Sequence, residues 1–196
     1  MARTQQQRRE ETITRRLDAS IDTIMEVGYA RASAAVIAKR AQVSDGALFR
    51  HFPTMGDFMA ATAREVMRRQ LELFTKRVAE IPADQWALEA AVRIQWDVTA
   101  NATNTAVMFE LVVAARTDEK LRATLQSVLA DYETSIYDTA RAMPGADQFS
   151  DETFTTFVAI ITNSFIGAAL VRPVLPQPDR EAKQVELLID VMRGLA

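Results

Sequence analysis

The chain has 196 residues, of which 48% are hydrophobic and 25% charged, and a net charge of −3 at pH 7. That is the balance of a globular protein able to bury a sizeable core. With no cysteine and one histidine (His51), disulfides, zinc ribbons, thiol catalysis and histidine-rich metal sites are excluded.

In chain order, "MARTQQQRREETITRR" lacks the apolar stretch of a signal peptide. The first helix is expected over about 12–27, where Ile13, Leu17, Ile21, Ile24 and Met25 form one apolar stripe. Gly28 follows where a left-handed C-terminal cap is wanted. Ser33 can cap a second helix over about 34–41, with Ile37, Ala38 and Ala41 inward. "QVSD" then makes a tight turn, and Ser44 caps a third helix over about 45–51, from which Leu48 and Phe52 point inward.

Pro53 breaks the chain, and Thr54 with Asp57 matches a capping box opening a long fourth helix, about 55–80, that ends near Pro82. Further helices are expected at about 84–101, 104–115, 118–142, 151–172 and 179–194, with Asn104, Thr117 and Ser150 as caps. Few glycines and prolines, and no run of alternating β-branched residues, make the fold class all-α with about nine helices. The apolar segment "FVAIITNSFIGAALV" (157–171) is interrupted by Thr162, Asn163 and Ser164. At 15 residues it is short of the roughly 20 a membrane span needs, so burial against protein, no membrane partner and a cytoplasmic location are expected.

The two short helices joined by a tight turn, Ser33 to His51, fit a helix-turn-helix. Residues 1–52 carry nine basic and six acidic side chains, a net +3, which leaves −6 on the remainder. A basic head on an acidic body suits a DNA-facing end. The expected division is a helix-turn-helix domain over 1–53 and a ligand-binding and dimerisation domain over 54–196.

"IDTIMEVGYARASAAVIAKRAQVSDGALFRHFPTMGDFMAA" resembles the DNA-binding domain of the tetracycline-repressor (TetR) family of bacterial transcription regulators. The resemblance rests on Gly28-Tyr29, Ile37-Ala38, Val43-Ser44 and the run Gly46 to Phe52, and covers about residues 12–62. "FELVVAARTDEKLRATL" (109–125) is similar to a stretch of the family's C-terminal domain. The resemblance implies a nine-helix chain, a C2 dimer and a ligand pocket that controls operator binding. Four positions depart from the family pattern. Met55 stands where a phosphate-contacting lysine is usual, Phe49 where a tyrosine hydroxyl reaches phosphate, Ala32 for threonine and Gln42 for glycine. Since charge-assisted phosphate contacts supply much of the affinity, weaker or more salt-sensitive anchoring is expected, or compensation from elsewhere.

The expected DNA-contacting residues are Ser33, Lys39, Ser44, Asp45, Gly46, Ala47, Phe49, Arg50 and His51, with Asp45, Gly46, Ala47, Arg50 and His51 exposed. The Ala47 methyl can meet a thymine methyl, and Asp45 can either accept from cytosine N4 or repel phosphate. Arg3, Arg8 and Arg9 are either a DNA-reaching arm or a solvating tail, and Lys39 and Arg40 either phosphate contacts or a solvated face. The expected ligand set is Met67, Phe74, Trp86, Trp96, Met108, Phe109, Val112, Phe154, Asn163 and Phe165, most of them apolar. Core packing is the competing role for each. Glu110, a charge in the apolar run "AVMFELVVAA", is either a ligand-orienting group or a structural partner for Arg116 or a neighbouring helix.

The dimer interface is expected at Gly167, Ala168, Leu187, Leu188 and Val191, two helices per subunit forming a four-helix bundle. No catalytic, metal or cofactor residues are expected. The partners are an operator DNA duplex, a small-molecule effector and a second copy of the chain. The functional expectation is a repressor released from a near-palindromic operator by a small, largely apolar ligand. The rival is a helical ligand- or partner-binding dimer with weakened DNA binding, motivated by Phe49 and Met55.

Overall fold

The computed structural model describes residues 5–82, 85–100 and 102–195, the side chains of residues 5, 6, 8, 45 and 102 excepted. Among these residues the chain is all-α, without strands. The helices are α1 (Gln5–Val27), α2 (Ala34–Arg40), α3 (Asp45–Leu48), α4 (Met55–Ala79), α5 (Ala87–Thr99), α6 (Ala102–Ala115), α7 (Glu119–Arg141), α8 (Asp151–Val171) and α9 (Pro178–Leu195). Single 3-10 turns, Tyr29–Arg31 and Ala146–Gln148, sit before α2 and α8.

The chain divides into two compact units, one of residues 1–67 and 106–129, the other of 68–105 and 130–196. This division follows packing and differs from the functional boundary expected near Pro53: α4, α6 and α7 each contribute to both units.

In the first unit the stripe Leu17, Ile21 and Ile24 is buried with Ile37, Ala38 and Leu48, while Met25 is exposed. The first turn of α4 is closed as expected: Thr54 N–H donates to Asp57 at 3.0 Å, and Asp57 N–H donates to the Thr54 hydroxyl at 3.1 Å. Further along α4, the buried Thr62 hydroxyl donates to Ser20 Oγ at 3.0 Å. This bond satisfies two polar groups that would otherwise weaken the α1–α4 contact.

Local geometry revises several expectations. Gly28 has positive φ (78°) with ψ at 161°, so it is extended rather than left-handed helical, in a region that favours glycine. The helix expected over 45–51 ends at Leu48, where Arg50 N–H turns back to the Ala47 carbonyl. A four-residue helix containing glycine has too few internal bonds to propagate. Asp118, not Thr117, caps α7 through Leu121 N–H at 3.0 Å, and Asn104 lies inside α6 rather than before it. Ser150 caps α8 as expected. The expected helix bounds at 84 and 101 lie outside the described residues.

In the second unit α5, α8 and α9 pack together around Leu88, Val92, Phe157, Ile161, Val185 and Ile189. Arg93 of α5 grips both carboxylate oxygens of Glu186 on α9, at 2.6 and 2.8 Å, and also reaches Glu89 at 3.1 Å. The Glu186 carboxylate is held below its usual range by that guanidinium. α8 is 21 residues long and apolar enough to cross a membrane by length and composition. Within the chain itself, 22% of its most apolar window is buried.

Candidate nucleic-acid interface

The turn between α2 and α3 is built by backbone hydrogen bonds. Val43 N–H donates to Ala38 O at 3.0 Å and Gln42 N–H to Lys39 O at 3.2 Å. With Ala41 as the C-terminal cap, this is the paired bonding of a Schellman motif. That motif requires a left-handed residue after the cap, and Gln42 supplies it at φ 57°. Ser44 then accepts from Ala47 N–H at 3.2 Å and starts α3. Leu48 is fully buried, and Phe52 is half-buried with its ring 5.0 Å from Phe58. These contacts fix α3 to α2 and α4.

Ser33, Lys39, Ser44, Gly46 and Arg50 are exposed on this part of the unit. Ala47, Phe49 and His51 are half-buried, so Ala47 and His51 are less open than expected. Ser33 spends its hydroxyl on capping α2, accepting from Val36 N–H at 3.4 Å. A Cβ built at Gly46 meets nothing within 4 Å, so nothing in this chain requires glycine there. Arg40 pairs with Glu26 of α1, which makes it part of the α1–α2 contact. The Arg3 backbone and the Arg8 and Asp45 side chains lie outside the described residues.

The sequence reading missed Arg16. It is only 4% exposed, and its Nε and Nη1 have no hydrogen-bond partner. Burial first, then the charges of Arg15 and Arg50, push its pKa below the usual arginine range. It lines an open hollow with Arg9, Glu10, Thr12, Ile13, Arg50 and His51. The same surroundings lower the His51 pKa from 6.5: burial acts first, then Arg16, Arg9 and Arg50. The signal was present in the helical period, since Arg16 stands three residues after Ile13 and four before the buried Ser20.

Glu110 acts as a structural partner for the end of α1. Its Oε2 accepts from Tyr29 N–H at 2.8 Å, and a Cβ at Gly28 would lie 3.3 Å from the same oxygen. Gly28 is therefore doubly constrained, by its φ and by the approach of this carboxylate.

The second unit contains a small apolar cavity of about 50 Å³. Phe74 and Phe154 line it; the other eight expected ligand residues do not. Phe165 is buried with its ring 5.1 Å from Trp96, and Trp96 lies under Arg172. Trp86 is covered by Arg193. Asn163 is exposed, and Met67, Met108, Phe109 and Val112 belong to the first unit. Size and apolarity identify core candidates but not which of them face a void. Gln95 and Thr162 are among the lining residues, but the lining surface is almost wholly apolar. Of the expected interface residues, Gly167, Leu187 and Val191 are exposed, and Ala168 and Leu188 half-buried.

Residues 17–62 match the family model of bacterial regulatory proteins of the tetR family. An HTH-type transcriptional regulator of Mycobacterium tuberculosis (strain ATCC 25618 / H37Rv) is 69% identical over 188 residues, covering 96% of both chains. The chain belongs to the TetR family. It is thus a DNA-binding transcriptional regulator with an N-terminal helix-turn-helix, and not an enzyme. TetR-family regulators bind DNA and small-molecule ligands as dimers. The TetR fold extends over most of the chain: a TetR-family regulator from Rhodococcus sp. superposes with TM-score 0.75 at 18% identity, covering 92% of this chain and 98% of that one. The multidrug binding protein EbrR, in complex with imidazole, superposes with TM-score 0.68 at 22% identity, covering 91% and 93%.

Proposed function

We infer that this TetR-family regulator is a cytoplasmic repressor that holds a near-palindromic operator as a homodimer and leaves it when a small, largely apolar ligand binds. The observation that carries this reading is the solvent-facing set Ser44, Gly46 and Arg50 on a turn and helix fixed by Leu48, Phe52 and the Gln42 turn. A recognition helix must be rigid toward its own domain and open toward the groove. The bare Gly46 suits close backbone approach to bases, and Ala47 remains a candidate for a thymine methyl.

The ligand's character is argued from the cavity lining. Among the described residues no charged side chain lines it. A neutral, largely apolar ligand fits that chemistry. At about 50 Å³ the cavity must widen to accept a ligand, because ligand sites usually span roughly 300–1,000 Å³. That widening is the conformational difference by which ligand and DNA oppose each other, and the opposition is reciprocal.

The exposed apolar residues of α8 and α9 favour a second copy as their cover. Dimerisation would then set two recognition helices about 34–36 Å apart, or a multiple of that. The test is operator affinity for DNA flanking the protein's own gene, measured with and without each compound of a neutral, apolar ligand library. A compound that binds the protein yet leaves operator affinity unchanged contradicts the release mechanism.

A further inference from the structure

We propose that the hollow formed by Arg9, Arg16, Arg50 and His51 is a socket for one phosphate of the DNA backbone, with Arg16 as its buried anchor. The proposal rests on the DNA-binding role of the first unit and adds a contact to it.

An arginine left only 4% exposed normally has a carboxylate or several carbonyls around its guanidinium, since an unpaired buried charge is costly. Arg16 has neither at Nε or Nη1. The charges that act on it, Arg15 and Arg50, have its own sign. The hollow it lines, about 850 Å³ and open to solvent, is wide enough for a phosphodiester. Glu10 contributes one carboxylate to the lining, so with His51 neutral the lining residues carry net +2. What such a site lacks is an anion with several acceptor oxygens. A phosphate fits a guanidinium fork in paired hydrogen bonds, and charged partners make those bonds strong.

Position favours the DNA backbone over free phosphate as the source. Arg50 and His51 lie two and three residues beyond the end of α3, and Arg9, Arg16 and Ile13 lie on one face of α1. The hollow thus borders the element that carries the base-facing residues. Phe49 lacks a hydroxyl and Met55 lacks a charge. The socket would restore phosphate anchoring that those two positions cannot give.

The test measures affinity for a random-sequence DNA duplex against salt concentration, for the wild type, Arg16→Met and Arg50→Gln. Phosphate contacts are sequence-independent, so the operator need not be known. Each variant is expected to reduce the slope of log affinity against log salt by about 0.9, and the affinity at low salt by about tenfold. Arg16→Met keeps the length of the stem and removes an unpaired buried charge, so its melting temperature is expected at or above that of the wild type.

An arginine that served only the fold would show the opposite pattern: a lower melting temperature and an unchanged slope, which overturns the proposal. If Arg16→Met fails to fold, Arg16→Gln is measured in its place and decides by its slope, because Arg50 is expected to contact DNA with or without the socket. A second arm adds inorganic phosphate at constant ionic strength. If it raises the wild-type melting temperature while the DNA slopes of both variants stay at the wild-type value, the site belongs to a free anion and the DNA assignment fails. A wild type that binds no duplex at all contradicts both this socket and the DNA-binding reading beneath it, whereas unchanged slopes contradict the socket alone.

Discussion

Gln42 holds a left-handed backbone (φ 57°) because the two Schellman bonds that close the α2–α3 turn allow nothing else. That conformation costs an ordinary L-residue about 1–2 kcal/mol. Gln42→Gly should therefore stabilise the protein by about 1 kcal/mol, read as a higher urea midpoint at unchanged m; a lower midpoint would show that the side chain contributes more than the strain costs. His51 gives a second residue-scale prediction. Its depressed pKa keeps it largely neutral at pH 7, through burial and the cations Arg16 and Arg9 of α1 and Arg50 after α3, with Glu10 the carboxylate in the same lining. A bound phosphate would offset those cations and raise the pKa again. DNA binding should thus take up a proton, and affinity should rise as pH falls toward the depressed pKa of the free protein. His51→Gln should flatten that dependence; an unchanged profile would place the titrating group elsewhere.

Among the elements, the junction of α1 with the turn at Tyr29 depends on a residue distant in sequence. Glu110 of α6 accepts from Tyr29 N–H at 2.8 Å. The bond is exposed, so Glu110→Ala should cost only about 1 kcal/mol in chemical denaturation. A larger loss would mean that the carboxylate supports more than this one donor. The same scale shows what the sequence made legible. The apolar stripe of α1, the caps Ser33, Ser44 and Ser150, and the Thr54–Asp57 box could all be read, because each is set by residues within four positions. The length of α3, the choice of Asp118 over Thr117 and the fate of Glu110 could not. Those depend on where backbone bonds close and on contacts across the chain. The cavity was the least legible part: apolar residues that pack and apolar residues that line a void share one pattern. Arg16 lay between the two. Its inward register could be read, but its lack of a partner could not.

For the whole molecule, the unfinished surface of α8 and α9 is the main consequence. Leu187 is 63% exposed and Val191 44%, with Ile160, Leu170 and Val171 also open. Apolar residues in such number on two neighbouring helices fit an interface core more than a solvated face. A C2 arrangement would bury them against their own copies. Leu187→Glu with Val191→Glu should shift the mass in light scattering from dimer to monomer, and weaken operator binding because two half-sites are no longer held together. A double variant that remains dimeric would move the interface to another face.

The account as a whole depends on specific, dimeric, ligand-sensitive DNA binding. Its most direct test is footprinting with titrated affinity on the DNA flanking the protein's own gene, against a random duplex at the same salt. The result predicted is a protected, near-palindromic site bound by two protomers, at least about 1,000-fold tighter than random DNA. Equal affinity for both duplexes, with no protected site, would contradict it.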